Sequence, residues 1–88
     1  MNTNLSDVTT SDVIREFILQ QFPLAREKSI GNDDSLLHNG LIDSMGTLDV
    51  VMFLEERYQL VLDDDDLVME NFATISTLAR LVESRLPY

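Results

Sequence analysis

The sequence predicts an all-α fold, a small bundle of four helices with a long loop between the first helix and the second. Apolar residues recur at helical spacing in three segments, and no alternating apolar and polar pattern indicates a strand. The chain of 88 residues has the size of one domain. We therefore predict a single domain at residues 10–86, preceded by a flexible N-terminus at residues 1–9.

The first helix is predicted at residues 10–22. Hydroxyl side chains at positions 9–11 are candidate N-caps, and the acids that follow suit the positive end of the helix dipole. Pro23 disfavours continuation of the helix beyond Phe22. The stripe that faces the predicted core consists of Val13, Ile14, Phe17, Ile18 and Phe22.

A long connection, residues 23–43, follows the first helix. A loop of this length is uncommon in a compact domain unless it is functional or held by its own side chains. We expect it to be held against the bundle, with a short helical turn near Ser35–Leu37. The apolar residues available to hold it are Ile30, Leu36, Leu37, Leu41 and Ile42.

Three further helices are predicted in the second half of the chain. The second helix runs from Ser44 to Tyr58, and a short third helix lies around Asp64–Glu70, where the acids of its first turn suit a helix N-terminus. The fourth helix runs from Thr74, a candidate N-cap, to Arg85. Its apolar stripe consists of Ile75, Leu78, Ala79, Val82 and Leu86.

The second helix has one face suited to the core and an opposite face that is half apolar and half acidic. Positions spaced by about 100° on a helical wheel place two sets of residues on opposite sides. The side suited to the core consists of Thr47, Val50, Val51, Leu54 and Tyr58. The opposite side consists of Met45, Leu48, Asp49, Met52 and Glu56. Because burial of the two acids is expensive, this side suits transient binding of basic proteins; the alternative is that Leu48 and Met52 pack under the long loop.

Composition and charge exclude several functions. The net charge of −10 repels phosphate groups, so we expect basic protein partners and no nucleic acid. No apolar run approaches the roughly 20 residues of a transmembrane helix, and the N-terminus lacks a signal-peptide pattern, so we expect a cytoplasmic protein. The chain has no cysteine and one histidine, His38, which excludes disulfides, a thiol nucleophile and the common zinc sites.

Ser44 is the candidate functional residue in GLIDSMGTL, residues 40–48. A serine hydrolase would require His38 with Asp43 or Asp49, and a nucleophile elbow would require glycine where Ile42 stands. Ser44 is alternatively the N-cap of the second helix, which contributes about 1 kcal/mol. A phosphate attached at a helix start is electrostatically tolerated, so the cap is compatible with a modification site.

The acidic run LDDDDL, residues 62–67, is the other motif that suggests chemistry. A calcium-binding EF-hand loop alternates its acidic ligands with other residues and places a glycine after them. This run has neither feature. No dedicated metal site is predicted.

The segment GLIDSMGTLDVVMFLEERY, residues 40–58, resembles the modification site of acyl carrier proteins. In that family an Asp-Ser-Leu or Asp-Ser-Met sequence opens the second helix, and an acidic segment of the LEE type follows. ENFATISTLARLV, residues 70–82, is similar to the family's sequence around the fourth helix. The resemblance covers roughly residues 10–86 and implies a bundle of the acyl-carrier-protein type.

The resemblance implies a carrier that is not an enzyme. Ser44 would hold 4′-phosphopantetheine as a phosphodiester, installed from coenzyme A by a phosphopantetheinyl transferase, and the thiol of this arm would hold an acyl group as a thioester. The other implied partners are a ligase that loads the acyl or aminoacyl group and acyltransferase-type enzymes with basic docking patches. We expect a monomer. The residues implied in partner recognition are Asp43, Met45, Leu48, Asp49, Met52, Glu55 and Glu56.

The cargo is less clearly indicated. LIDSMGT, residues 41–47, is similar to D-alanyl carrier proteins, but MENFATIS, residues 69–76, stands where those proteins have an aspartate–tryptophan element. Carriers of fatty acid synthesis usually have an acid where this chain has Gly46. We expect a stand-alone acyl carrier. The alternatives are a D-alanyl, aminoacyl or peptidyl carrier and, in another class, an acidic helical interaction module without a prosthetic group.

Overall fold

A computed structural model describes residues 9–37 and 41–86, and in these ranges the chain forms α-helices and 3₁₀ helices and no strand. The predicted all-α bundle with a long connection before the Ser44 helix is confirmed. The N-terminal segment predicted to be flexible lies, up to residue 8, outside the described residues. The helices are α1 (Thr10–Gln21), α2 (Pro23–Glu27), α3 (Ser44–Tyr58) and α4 (Ile75–Arg85), with 3₁₀ helices at Asp64–Asp66 and Met69–Phe72.

α1 begins where its capping residues predict. The Thr9 hydroxyl accepts a hydrogen bond from the Asp12 amide at 3.1 Å, and the Asp12 carboxylate accepts one from the Thr9 amide at 3.3 Å. This reciprocal pair is a capping box. Ile14 and Ile18 are fully buried, and Phe22 is half-buried against the same core.

The long connection contains a helix at a different place from the predicted one. The predicted turn near Ser35–Leu37 is wrong, since no helix forms there, and the short helix is α2. Pro23 occupies the first position of α2, where an amide donor is not needed and the fixed φ of proline suits a helix. The proline that ends α1 therefore also begins α2.

Backbone hydrogen bonds hold the connection in place. The Leu36 amide donates to the Ala73 carbonyl at 2.8 Å, and the Ser76 amide, in the first turn of α4, donates to the Asn32 carbonyl at 3.0 Å. The predicted burial of the apolar loop residues is confirmed for four positions, while Leu37 is half-buried. The buried four are Ile30, Leu36, Leu41 and Ile42.

The predicted third helix is two separate 3₁₀ helices, because the backbone of Val68 is extended (φ −110°, ψ 152°). The first 3₁₀ helix is held to the end of α4. The guanidinium of Arg85 donates to the buried carboxylate of Asp66 and lies 3.7 Å from the carboxylate of Asp63. The acidic run therefore has a structural anchor on α4.

One core joins α1, α3, α4 and the connections between them. The predicted core side of α3 is confirmed, with Val50 and Leu54 buried and Val51 and Tyr58 half-buried. α4 follows its capping box at Thr74 and buries most of its predicted stripe. Its buried residues are Ile75, Leu78, Ala79, Leu81 and Val82.

Candidate functional site

The start of α3 is set by Asp43. The backbone of Asp43 is extended (φ −97°, ψ −172°), and its carboxylate accepts a hydrogen bond from the Gly46 amide at 2.7 Å. Its carbonyl accepts from both the amide of Thr47, at 2.9 Å, and the hydroxyl of Thr47, at 3.0 Å. Ser44 is therefore the first residue of the helix, and the interpretation of Ser44 as its N-cap is wrong.

Gly46 is a buried position in the first turn of α3. A Cβ atom added to it would lie 2.6 Å from Cε1 of Phe22 and 3.1 Å from Cγ2 of Ile42. Real Cβ atoms essentially never approach a neighbour within 3.0 Å. The ring of Phe22, at the end of α1, fills the space beside this position, so a Cβ at position 46 fits only if the ring moves.

The outward side of α3 is an exposed apolar and acidic surface. Met45 is 71% exposed, Leu48 56% and Met52 60%. Asp49 and Glu56, on the same side of the helix, are also exposed. The alternative in which Leu48 and Met52 pack under the long loop is therefore wrong. We call these five residues the outer face of α3.

Glu55 has a different environment from Glu56, its neighbour in sequence. Glu55 is half-buried, and its carboxylate accepts a hydrogen bond from the Leu62 amide at 2.9 Å. Its carbonyl accepts from the Leu60 amide at 3.2 Å. Glu55 therefore holds the segment that leaves α3, whereas the Glu56 side chain lies in solvent.

An open apolar groove lies next to the outer face, between α3 and the segment of the two 3₁₀ helices. Its volume is about 170 Å³. Leu67, Val68 and Met69, which form one wall, are themselves exposed. The other lining residues are Leu37, Thr47, Leu48, Val51 and Phe72.

The described ranges contain neither a metal-binding cluster nor a membrane-spanning helix. Within residues 9–37 and 41–86, no three acidic or histidine side chains are arranged to hold a metal ion. No helix in these ranges is both long and apolar enough to cross a membrane. His38, which a hydrolase would require, lies outside the described residues, and the side chain of Ser44 is not described either.

The family of the chain follows from a comparison with family models. The model described as the phosphopantetheine attachment site matches residues 12–82, so the chain belongs to this family. A search of curated proteins finds no significant match.

A comparison with solved structures supports the same family at the level of the fold. The solution NMR structure of a holo acyl carrier protein from Nitrosomonas europaea is similar to this chain, with a TM-score of 0.67 and 28% sequence identity. The match covers 84% of this chain and 92% of that chain. Fold and family together define a carrier protein with covalently attached 4′-phosphopantetheine.

The residues at the start of α3 fit this group. A phosphodiester needs an alcohol oxygen. Ser44, the first residue of α3, is a residue type that has one. The first amides of a helix have no partner within it and carry partial positive charge, which favours a bound phosphate. In the cap, the Asp43 carboxylate accepts from the Gly46 amide and the Asp43 carbonyl accepts from Thr47.

Proposed function

We propose that Ser44 carries the 4′-phosphopantetheine as a phosphodiester and that the chain is a non-catalytic carrier of an acyl thioester. The observation that carries this proposal is the position of Ser44. It is the first residue of α3, it follows the Asp43 cap directly, and it opens a helix with an exposed outer face. A cytoplasmic monomer is part of the proposal.

The proposed partners act in sequence on the same arm. A phosphopantetheinyl transferase moves the group from coenzyme A to Ser44, a ligase loads the acyl group, and acyltransferase-type enzymes take it away. The arm keeps the cargo near each docked enzyme and so raises its effective concentration. The net charge of −10 favours partners with basic docking patches. The proposed recognition residues are Asp43, Met45, Leu48, Asp49, Met52, Glu55 and Glu56.

The apolar groove supports an acyl cargo over an aminoacyl cargo. Each methylene buried there contributes about 0.8 kcal/mol, whereas the ammonium group of an aminoacyl thioester would lose hydration in the same place. The volume of about 170 Å³ favours a short chain. The likeness of LIDSMGT to D-alanyl carriers keeps an aminoacyl cargo as the alternative.

Mass spectrometry of the protein purified from its native host tests this function. We expect the mass of one phosphopantetheinyl group plus an acyl group. Hydroxylamine, which cleaves thioesters, should release the acyl part and leave the arm. An attached acyl group that hydroxylamine does not release, or a chain without the arm, would contradict the proposed function. Release of an aminoacyl group would show that the cargo is the alternative one.

A further inference from the structure

We infer that Phe22 is a specificity-determining residue for the enzymes that act at Ser44. Its ring supplies an apolar contact beside the first turn of α3, where side-chain charge is missing. The inference rests on the proposed attachment at Ser44. It adds a residue of α1 to a recognition surface that otherwise consists of α3 and its cap.

The first step is the packing of Phe22 on Gly46. Because an added Cβ would lie 2.6 Å from Cε1 of the ring, position 46 has no room for an acidic side chain while Phe22 is in place. The first turn of α3 accordingly contains no acid. The carboxylate of Asp43 lies just before this turn and is bound to the Gly46 amide.

The second step is the distribution of charge along α3. The first exposed acid after the cap is Asp49, about 7.5 Å along the helix from Ser44 at a rise of 1.5 Å per residue. Met45 and Leu48 are the exposed side chains in between. A partner that fits this pattern places apolar groups against Met45 and Leu48, with basic groups on either side of them, at Asp43 and at Asp49.

The third step is the rigidity of Phe22. Its half-buried ring meets the edge of Phe17 at a centroid distance of 6.5 Å, and Phe17 stacks on Phe53 at 4.1 Å. Aromatic side chains held in this way make strong anchors in interfaces, because little conformational entropy is lost when a partner binds. Phe22 is placed to act at the first turn of α3 because its ring packs against Gly46.

Phe53 provides a matched control. It is also a half-buried ring in contact with Phe17, but it lies about 10 Å further along α3 than Gly46. The substitutions Phe22→Leu and Phe53→Leu therefore remove similar packing at different distances from Ser44. Thermal unfolding of both variants shows whether their losses of stability match.

The test is steady-state kinetics of a broad-specificity phosphopantetheinyl transferase with coenzyme A and each apo-protein. We expect Phe22→Leu to raise KM for the carrier roughly tenfold, as loss of an interface anchor does, with kcat unchanged. Phe53→Leu should leave KM within about twofold of wild type, the size of a neutral interface contact. Because the contact is apolar, the defect should persist at high salt, unlike that of Asp49→Asn.

The outcomes separate this inference from the attachment proposal. Equal KM values for the two leucine variants, or a Phe22→Leu defect that disappears at high salt, would overturn the role of Phe22 alone. If Phe22→Leu unfolds, Phe22→Met, whose flexible side chain fills irregular gaps, should fold and show the same rise in KM. A wild-type chain that takes up no phosphopantetheine would overturn the attachment at Ser44 and this inference with it.

Discussion

The carboxylate of Asp43 and the backbone amide of Gly46 form a hydrogen bond of 2.7 Å that caps α3. This bond gives Asp43 a structural role in addition to the proposed role in recognition by the transferase. The two roles differ in what they require, since a cap needs an acceptor oxygen and recognition by a basic surface needs the charge.

Substitutions of Asp43 separate these roles. Asp43→Ala should lower the free energy of unfolding by about 1 kcal/mol, whereas Asp43→Asn, which retains an acceptor, should lower it by much less. Both variants should lose transferase efficiency. Denaturant unfolding measures the effect on stability, and transferase kinetics measure the effect on recognition. If Asp43→Asn has the same transferase kinetics as wild type, Asp43 is only a helix cap.

The contact between Phe22 and Gly46 predicts an unusual response to alanine. Alanine normally stabilises a helix relative to glycine by about 1 kcal/mol, but overpacking at a filled site costs about 1–3 kcal/mol. We expect Gly46→Ala to destabilise the protein and Phe22→Leu in the same chain to restore part of the loss. Gly31, whose added Cβ would lie at an ordinary 3.7 Å from Asp34, is the control glycine. A Gly46→Ala variant as stable as wild type would contradict the packing.

Replacement of the neighbours Glu55 and Glu56 should affect stability differently, because only Glu55 is half-buried and bound to the Leu62 amide. Glu55→Ala leaves the Leu62 amide without the carboxylate and should cost about 1 kcal/mol of stability. Glu56→Ala should change stability by less than about 0.5 kcal/mol, as exposed positions do, and should raise the KM of a basic partner at low salt. Unfolding and transferase kinetics at two salt concentrations distinguish them; a stability loss at Glu56 comparable with that at Glu55 would contradict the assignment.

The ion pair between Asp66 and Arg85 predicts a dependence of stability on pH. The hydrogen bond from the Arg85 guanidinium lowers the pKa of Asp66, against the effect of burial, and the carboxylate raises the pKa of Arg85. A carboxyl whose pKa is lower in the folded state stabilises the fold above its unfolded pKa of about 3.9. This contribution is lost as the pH falls through the folded pKa.

Thermal unfolding at several pH values measures that contribution. Asp66→Ala should lower Tm at pH 7, and its difference from wild type should shrink as the pH falls below about 4. Asp65→Ala, at an exposed neighbouring aspartate, is the control and should change Tm little. A difference between Asp66→Ala and wild type that stays constant over this range would contradict the role of the charged pair.

The long helices were predictable because their signals are local. The capping box at Thr9 and the cap at Thr74 set two helix starts, and periodic apolar residues set the core sides. Helices as short as α2 depend on tertiary packing more than on propensity. Pro23 therefore indicated only the end of α1, although it also begins a helix.

The start of α3 and its exposed outer face were predictable from the sequence, whereas the residue that caps the helix was not. Aspartate and serine are almost equally good N-caps, so the sequence alone does not choose between Asp43 and Ser44. The anchoring of Glu55 to Leu62 and the contact of Phe22 with Gly46 join residues far apart in the chain. A glycine in the first turn of a helix was the one signal of that contact.

The mass of the apo-protein after incubation with coenzyme A and a broad-specificity phosphopantetheinyl transferase tests attachment at Ser44 most directly. Ser84→Ala serves as the control, since Ser84 is an exposed serine on α4. Wild type and Ser84→Ala should each gain one phosphopantetheinyl group, and Ser44→Ala should gain none while its Tm stays near that of wild type. An adduct on Ser44→Ala, or none on wild type, would contradict the attachment of the prosthetic group at Ser44.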